Sequence, residues 1–399
     1  MSRTESQPPS GEGYSRGLLT AAACAGMFVF GIVMAVLGAS LPGLFERIDF
    51  GKGQAADLFL LMNFAMLLMS VLFGPVVDRF GFKVFLGLSS LLVGFSLFAL
   101  AGASTFPLLV AAVLALGFGG GGLNGGTNAL MSDLHPERRA AALNLLGIFF
   151  GFGALTVPFL IGTLVGRFGL SSILYFTCLL CAVPPALFGP ARFPRPKQRQ
   201  GFPIRKAGRI IRSPVLWLAA FLLFFQSANE FTVGGWLATY LREQFTMSGS
   251  AASLTLAGYW AAVMAGRLFA SLVIKRIGRM RLLLGSAGLA LAAALLLVAA
   301  PSSIGAAAGA VFIGLGFSAI YPTTLAVVGG SSPALSGTAF SVVFTVALCG
   351  GMTAPWLAGK VAQTAGLRTS FMIPVACLLM IIALGFGLKK RSEAQTAQG

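Results

Sequence analysis

The chain has 399 residues, of which 57% are hydrophobic and only 10% are charged. Soluble domains average about 25% charged residues, so a chain this poor in charge cannot cover a water-facing surface and must expose its exterior to lipid. The net charge of +17 does not indicate nucleic-acid binding, because no basic face is interleaved with base-stacking aromatic residues.

Twelve segments are long and apolar enough to cross the ~30 Å hydrocarbon layer as a helix of about 20 residues. They are 17–44, 54–77, 83–104, 106–131, 141–166, 170–190, 214–241, 250–274, 281–300, 303–328, 337–360 and 369–388. The sequence therefore predicts an all-α membrane protein with a first six-helix bundle over 17–190 and a second over 214–388. Residues 1–16 are expected to be a disordered cytoplasmic tail, 191–213 a basic cytoplasmic linker, and 389–399 a second tail.

Lysine and arginine fix the expected orientation. With a cytoplasmic N-terminus, 21 of these residues lie inside and six lie outside, which predicts that both termini are cytoplasmic. Eight of the 21 lie between Arg192 and Arg212, where there is no acid. This linker is expected either to bind anionic lipid or to act only as a topology anchor. The compact loops favour the inner membrane of a bacterium. The protein is expected to be a monomer.

A related pattern follows the second span and the eighth. Residues 74–83 read GPVVDRFGFK and residues 271–279 read SLVIKRIGR, so that Gly278 follows Gly81 by 197 residues. Internal duplication of this kind is common in secondary transporters. Residues 74–83 resemble the major facilitator signature G-x-x-x-D-R-x-G-x-K and match its Gly, Asp, Arg, Gly and Lys positions. The ninth position, which is usually arginine in that family, is Phe82. The resemblance implies the major facilitator fold, with two pseudo-symmetric six-helix bundles.

The same pattern suggests a gate on the cytoplasmic side. Asp78 ends one helix and begins the turn into the next, where its charge can cap exposed N–H groups and pair with cations of the other half. The second copy has Lys275 at the corresponding place and lacks this acid. The predicted gate residues are Asp78, Arg79, Lys83 and Arg276.

Two stretches carry a finer resemblance. Residues 124–128 (NGGTN) resemble the fucose permease branch. Residues 229–236 (NEFTVGGW) are similar to that branch and to its sodium-dependent glucose transporter relatives. This implies a sugar or sugar-like substrate driven by a proton or sodium gradient. Fucose permease uses a carboxylate on span four for coupling, whereas this chain has Asn124 and Asn128 there, so that chemistry does not carry over.

Glu230 is the one carboxylate predicted to lie deep within a span, about 24 Å along the seventh helix. Because such a residue costs several kcal/mol in a bilayer, it is a candidate for binding the coupling ion. Gln226 lies one turn away, and Gly234 with Gly235 is expected to loosen the helix and free carbonyl groups. The alternative interpretation is a neutral glutamic acid that only packs between helices.

Other polar residues within the spans are candidate substrate contacts. Amides can bind sugar hydroxyls through both donors and acceptors, and aromatic rings can cover the apolar face of a sugar. These candidates are Asn63, Asn124, Asn128, Asn144, Trp236, Tyr259, Trp260 and Tyr321, and for each a packing or gating role remains open. Arg267 is expected to snorkel or latch rather than bind substrate. Asp57, near the outer surface, is expected to be wetted or capping.

The sequence thus favours a transporter of a small hydroxylated solute, coupled to a proton or sodium ion. An efflux pump for lipophilic compounds is the alternative within the transport class, and a non-transporting membrane sensor is an alternative outside it. With one histidine, His135, and no histidine–cysteine cluster, the sequence predicts neither an enzyme, nor a metal site, nor a cofactor.

Overall fold

The computed structural model describes residues 15–193, 213–331 and 336–396, and nearly all of them are helical. Most of the basic linker therefore lies outside the described residues. Eleven helices follow in chain order: α1 (Arg16–Arg47), α2 (Lys52–Gly102), α3 (Phe106–Leu134), α4 (Arg139–Leu180), α5 (Val183–Phe188), α6 (Pro214–Phe245), α7 (Gly249–Ile277), α8 (Arg279–Ala299), α9 (Ser303–Ser331), α10 (Ser336–Ser370) and α11 (Met372–Thr396).

These helices contain eleven stretches that are long and apolar enough to cross a membrane. One of them, Ala141–Phe188, has 48 residues, which is enough for two crossings, and its backbone breaks at Gly169. The arrangement is compatible with the twelve predicted spans. Several helices continue past the predicted apolar limits, as α6 does by running to Phe245.

Four glycines with positive φ mark places where one helix turns directly into the next. They are Gly81 (77°), Gly169 (72°), Gly278 (85°) and Gly366 (82°), and residues with a side chain rarely adopt this conformation. Gly366 follows Gly169 by 197 residues, the same interval that separates Gly278 from Gly81. The repeat seen in the sequence at one turn therefore extends to a second turn.

Glycines on α3 allow three helical segments to approach it closely. A methyl group built on Gly119 would lie 2.7 Å from the Val93 side chain, and one on Gly120 would lie 2.7 Å from Val33 on α1. One on Gly121 would lie 2.8 Å from the backbone oxygen of Met66. Close backbone approach is a main source of helix association in lipid. The glycine run thus fixes α3, and with it the amides of Asn124 and Asn128, inside the bundle.

We call the end of the bundle where α1 begins the terminal face and the end where α1 finishes the distal face. At the distal face, an arginine binds the last carbonyls of the third span in each half. Arg47 donates to Ala101 O at 2.7 Å and to Leu100 O at 2.8 Å, and Arg368 donates to Val298 O at 2.9 Å. These bonds satisfy helix-end carbonyls that have no partner within the helix, and each arginine acts within its own half.

Candidate functional site

The site is built around Glu230, sixteen residues along α6. Gln226 lies one turn earlier, and its Nε2 donates to Glu230 Oε1 at 2.9 Å. Gln226 is fully buried, and the side chain of Glu230 is partly buried. The two residues therefore share one helical face, as the sequence predicted.

Three side chains from neighbouring helices come within electrostatic range of Glu230. Arg267 and Tyr259 belong to α7, and Tyr321 belongs to α9. Within the described side chains, Arg267 and Glu230 do not form a direct ion pair of 4.0 Å or less. We call Gln226, Glu230, Tyr259, Trp260, Arg267 and Tyr321 the Glu230 cluster.

Several polar atoms in the Glu230 cluster are buried without a hydrogen-bond partner. They are the Tyr259 hydroxyl, Trp260 Nε1, Arg267 Nε and Gln226 Oε1. Leaving such a group unsatisfied costs about 1–3 kcal/mol each, so native proteins rarely leave several together without a reason. The set is therefore suited to receive a ligand or ordered water.

The N-terminal half meets the Glu230 cluster through Phe150 on α4. The Phe150 ring centroid lies 6.1 Å from that of Trp260, edge to face, and 6.0 Å from the guanidinium carbon of Arg267. A methyl group built on Gly151 would lie 2.7 Å from Met264 Sδ on α7. Arg267 thus lies against the Phe150 ring of the opposite half, and its expected role, to snorkel or to latch, stays a prediction.

The predicted amides occupy three different environments. Asn128 Nδ2 donates to Asn124 Oδ1 at 3.0 Å and to Asn124 O at 2.8 Å, and both side chains keep partial access to solvent. Asn63 is fully buried and donates to Phe59 O at 2.8 Å, while its Oδ1 has no partner. Asn144 is exposed near the terminal face.

Trp236 and the neighbouring glycines depart from expectation. Trp236 is 0% exposed, and its Nε1 donates to Pro355 O at 3.0 Å, so its single polar atom is already engaged away from the Glu230 cluster. The helix continues without interruption through Gly234 and Gly235. A methyl group built on Gly38 of α1 would lie 2.7 Å from Gly235 Cα. The predicted loosening is therefore wrong, since these glycines allow α1 and α6 to pack closely.

The predicted gate residues lie at the terminal face, and the contacts described for Arg79 and Lys83 stay within their own half. The Asp78 side chain lies outside the described residues. Arg79 is exposed, 5.3 Å from the Phe80 ring, and Arg276 is also exposed. Lys83 Nζ donates to Gly189 O at 2.6 Å within its own half. None of the ion pairs between described side chains connects the halves at this face.

The distal face carries contacts between the halves that the sequence analysis missed. Lys52 pairs with Glu243 at 2.6 Å, and Arg242 pairs with Glu46. Asp57 is wetted as expected, but it also pairs with Lys360 at 2.8 Å and accepts a hydrogen bond from Trp356 Nε1 at 2.9 Å. We call these three ion pairs the distal latch. The sequence contained a partial indication of these ion pairs. Acids are rare in this chain, and four of the eleven, at positions 46, 49, 57 and 243, lie near that face.

A family model for the major facilitator superfamily matches residues 23–229 and 219–398, which together cover most of the chain. The chain belongs to the major facilitator superfamily. This confirms the family indicated by residues 74–83.

Individual members of the superfamily agree with that assignment. The chain is 24% identical to a Brucella abortus protein called glucose/galactose transporter, over 90% of this chain and 91% of that one. It is 30% identical to sodium-dependent glucose transporter 1 of Rattus norvegicus over 130 residues, which are 33% of this chain and 27% of that protein. The resemblance to this branch is thus confirmed.

A solved structure shows the same fold. It is a bacterial homologue of the human lysosomal transporter Spinster in an inward-facing and occupied conformation, with a TM-score of 0.79 and 15% identity. The match covers 96% of this chain and 98% of that one. Among the described residues of this major facilitator protein, no group of three or more His, Cys, Asp or Glu residues could hold a metal ion.

Proposed function

We propose that this major facilitator protein is a secondary active transporter for a small hydroxylated solute, a sugar in the first place. Transport proceeds by alternating access and is coupled to a proton or sodium gradient. The observation that carries the proposal is Glu230, a carboxylate deep within α6 that is held by Gln226 and surrounded by polar atoms without partners. The glucose/galactose transporter among its relatives supports the choice of solute.

Glu230 is the coupling residue in this proposal. A carboxylate within the bilayer is costly when charged, so it readily takes up a proton or a small cation from an adjoining aqueous space. In this proposal the ion reaches Glu230 when the transporter opens to either side, while Gln226 holds the carboxylate in position. Alternate opening to the two sides of the membrane then lets Glu230 load on one side and unload on the other.

The solute is bound between the two halves. The buried donors of Tyr259 and Trp260 lie on the C-terminal side, and the paired amides of Asn124 and Asn128 lie on the N-terminal side. Tyr321 and Gln226 complete the C-terminal side, while Asn63 and Asn144 remain candidates for inner contacts. Trp236 is left out, because its indole N–H is already bound to Pro355.

In this proposal, the conformation that contains the distal latch is closed towards the outside of the cell. The proposal takes the terminal face as cytoplasmic, as the distribution of lysine and arginine predicts for the inner membrane of a bacterium. The distal latch then closes the outer side. In the opposite conformation, Asp78 and the cations Arg79, Lys83 and Arg276 form the inner gate. The linker 191–213, most of which lies outside the described residues, contacts anionic lipid, and the protein acts as a monomer.

The substitution Glu230→Gln separates coupling from solute binding. It keeps the size and the hydrogen bond to Gln226 but cannot take up a proton or bind sodium. In proteoliposomes, uptake driven by an imposed proton or sodium gradient should fall to the level without gradient, whereas counterflow exchange of the same sugar should continue.

Glu137→Gln is the matched control, because Glu137 is an exposed carboxylate in the loop between α3 and α4. It should leave both measurements unchanged. If Glu230→Gln left gradient-driven uptake intact, the coupling role would be wrong. A ligand panel that stabilised the protein with cationic dyes and with no sugar would instead favour the efflux alternative.

A further inference from the structure

Arg267 is a cation in the Glu230 cluster to which the proposed function has given no task. We propose that Arg267 binds an anionic group on the transported solute, so that the substrate is a hydroxylated acid, such as a sugar acid, rather than a neutral sugar. This inference rests on the proposed function and names the chemical class of its substrate.

The first argument is that Arg267 lacks an anion in direct contact. Glu230 lies within electrostatic range but forms no direct ion pair with it, and Glu230 Oε1 is engaged by Gln226. Arg267 Nε is buried without an acceptor, and the Phe150 ring, 6.0 Å from the guanidinium carbon, supplies only a weak contact. Arginine keeps its charge in proteins, and the half-buried guanidinium of Arg267 has no anion in direct contact among the described side chains. The site therefore favours a ligand that brings a negative charge.

The second argument concerns the balance of donors and acceptors. The unpartnered atoms near Arg267 include the Tyr259 hydroxyl and Trp260 Nε1, both of which can donate, and among the cluster's buried unpartnered atoms only Gln226 Oε1 is purely an acceptor. A carboxylate accepts several hydrogen bonds at once and fits the two parallel N–H groups of a guanidinium. A neutral sugar presents hydroxyls that need acceptors as well as donors. The donor-rich set is thus better matched by an acid.

The third argument links Arg267 to coupling. Among the described residues, the titratable groups that come within range of Glu230 are Arg267 and Tyr259 on α7 and Tyr321 on α9. When Glu230 takes up a cation, the negative charge facing Arg267 is neutralised. A solute carboxylate replaces it, so a proton and an anion enter together without leaving an unbalanced charge between the halves.

Three probes that differ at one carbon of one sugar test the inference. They are galactose, galacturonate and the methyl ester of galacturonate, and their apparent affinities can be measured from the thermal stabilisation of the purified full chain. The wild-type protein should bind galacturonate at least about tenfold more tightly than galactose or the ester, because a hydrogen-bonded charge pair is added. Arg267→Gln should remove that preference, and Arg267→Lys should keep part of it.

Arg167→Gln is the control, since Arg167 is an exposed arginine beside Phe168 near the distal face. It should keep the wild-type preference. Equal binding of galacturonate, the ester and galactose by the wild-type protein would overturn the inference and leave the proposed function standing. Binding of none of the three would overturn the sugar proposal together with the inference. The comparison with the ester needs no mutation, so it decides the matter even if Arg267→Gln fails to fold.

Discussion

Asn124 and Asn128 show how a pair of like residues acquires two different roles. Asn128 uses its amide nitrogen twice, on the side-chain oxygen and on the backbone oxygen of Asn124. The proposal therefore assigns the amide nitrogen of Asn124 and the amide oxygen of Asn128 to the solute. One donor and one acceptor are thus presented side by side, which matches adjacent hydroxyls on a sugar.

Replacing Asn128 with leucine should weaken solute binding without unfolding the bundle. The substitution removes the acceptor and releases Asn124 from its fixed orientation, so the apparent affinity in counterflow exchange should fall about two- to tenfold, as expected for one or two hydrogen bonds.

Thr127→Val controls for changes in α3 itself. Thr127 is buried on another face, and its hydroxyl donates to Leu123 O at 2.7 Å. If Thr127→Val weakened binding as much as Asn128→Leu did, the loss would reflect the helix rather than the amide pair.

The residues of the Glu230 cluster were only partly predictable from the sequence. Glu230 and Gln226 could be paired because helical spacing places positions four residues apart on one face. The depth of Arg267 along its span suggested that it snorkels, but the direction in which a side chain leaves a helix depends on the rotation of that helix in the bundle. That rotation is set by contacts such as Phe150 with Trp260, which join distant parts of the chain.

The contact between α1 and α4 illustrates how helices are held together in this protein. A methyl group built on Gly31 would lie 2.7 Å from the backbone nitrogen of Ala154, and closer still to the carbonyl oxygen of Phe150. The two backbones therefore pack directly against each other. Because lipid supplies no hydrophobic drive for association, such contacts carry much of the helix–helix affinity.

Gly31→Ala should destabilise the protein, while Gly147→Ala on α4 should not. A methyl group on Gly31 forces the two helices apart, and overpacking of this kind costs about 1–3 kcal/mol. A methyl group on Gly147 would meet nothing within 4 Å. Thermal unfolding in detergent should show a lower midpoint for Gly31→Ala only, and equal midpoints would contradict the packing argument.

The helices themselves were well predicted from the sequence, whereas their breaks were found only in part. Apolar runs of about 20 residues identify spans directly. Gly81 and Gly278 could be identified in the sequence as helix breaks because charged residues surround them. Gly169 and Gly366 have less distinctive surroundings, and their positive φ became evident only from the backbone.

At the scale of the whole molecule, the two faces differ in their described ion pairs, because the distal face carries the three pairs of the distal latch that link the halves. The pair formed by Asp57 and Lys360 joins α2 to α10, and Lys360 Nζ also donates to Gly53 O at 3.0 Å. Because both partners are partly exposed, the ion pair contributes only about 0.2–1 kcal/mol. Such a contact is strong enough to bias a conformational equilibrium and weak enough to open during transport.

Lys360→Met should therefore shift the transporter towards the conformation that is open at the distal face. We expect a change of about two- to fivefold in the ratio of the two conformations, measured by distances between spin labels on α2 and α10. Asp57→Asn should have a similar effect, and the double variant should add little, because the same contact is lost.

Arg167→Gln should not change this ratio, since Arg167 contacts Phe168 within its own half. If the effects of Lys360→Met and Asp57→Asn added in full in the double variant, Asp57 and Lys360 would act independently, which would contradict the prediction.

The sequence could not predict which face carries the ion pairs of the distal latch. The gate pattern at residues 74–83 is specific to a family and could be recognised, but the distal latch brings together residues that are 191, 196 and 303 positions apart. Pairing over such separations follows from the way the two halves meet. Two halves of similar length indicate that the halves pack against each other, but they do not indicate at which end of the bundle the ion pairs between the halves form.

The arginines that bind the third span of each half have a consequence for movement. Arg47 and Arg368 stay with their own halves, while Lys52, Arg242 and Lys360 bridge to the other half. When the bridging lysines and arginine release their partners, Arg47 and Arg368 still bind the end carbonyls of the third span in each half. One set of cations thus stabilises the structure within each half, and a separate set links the two halves. Each half can therefore tilt as an intact unit.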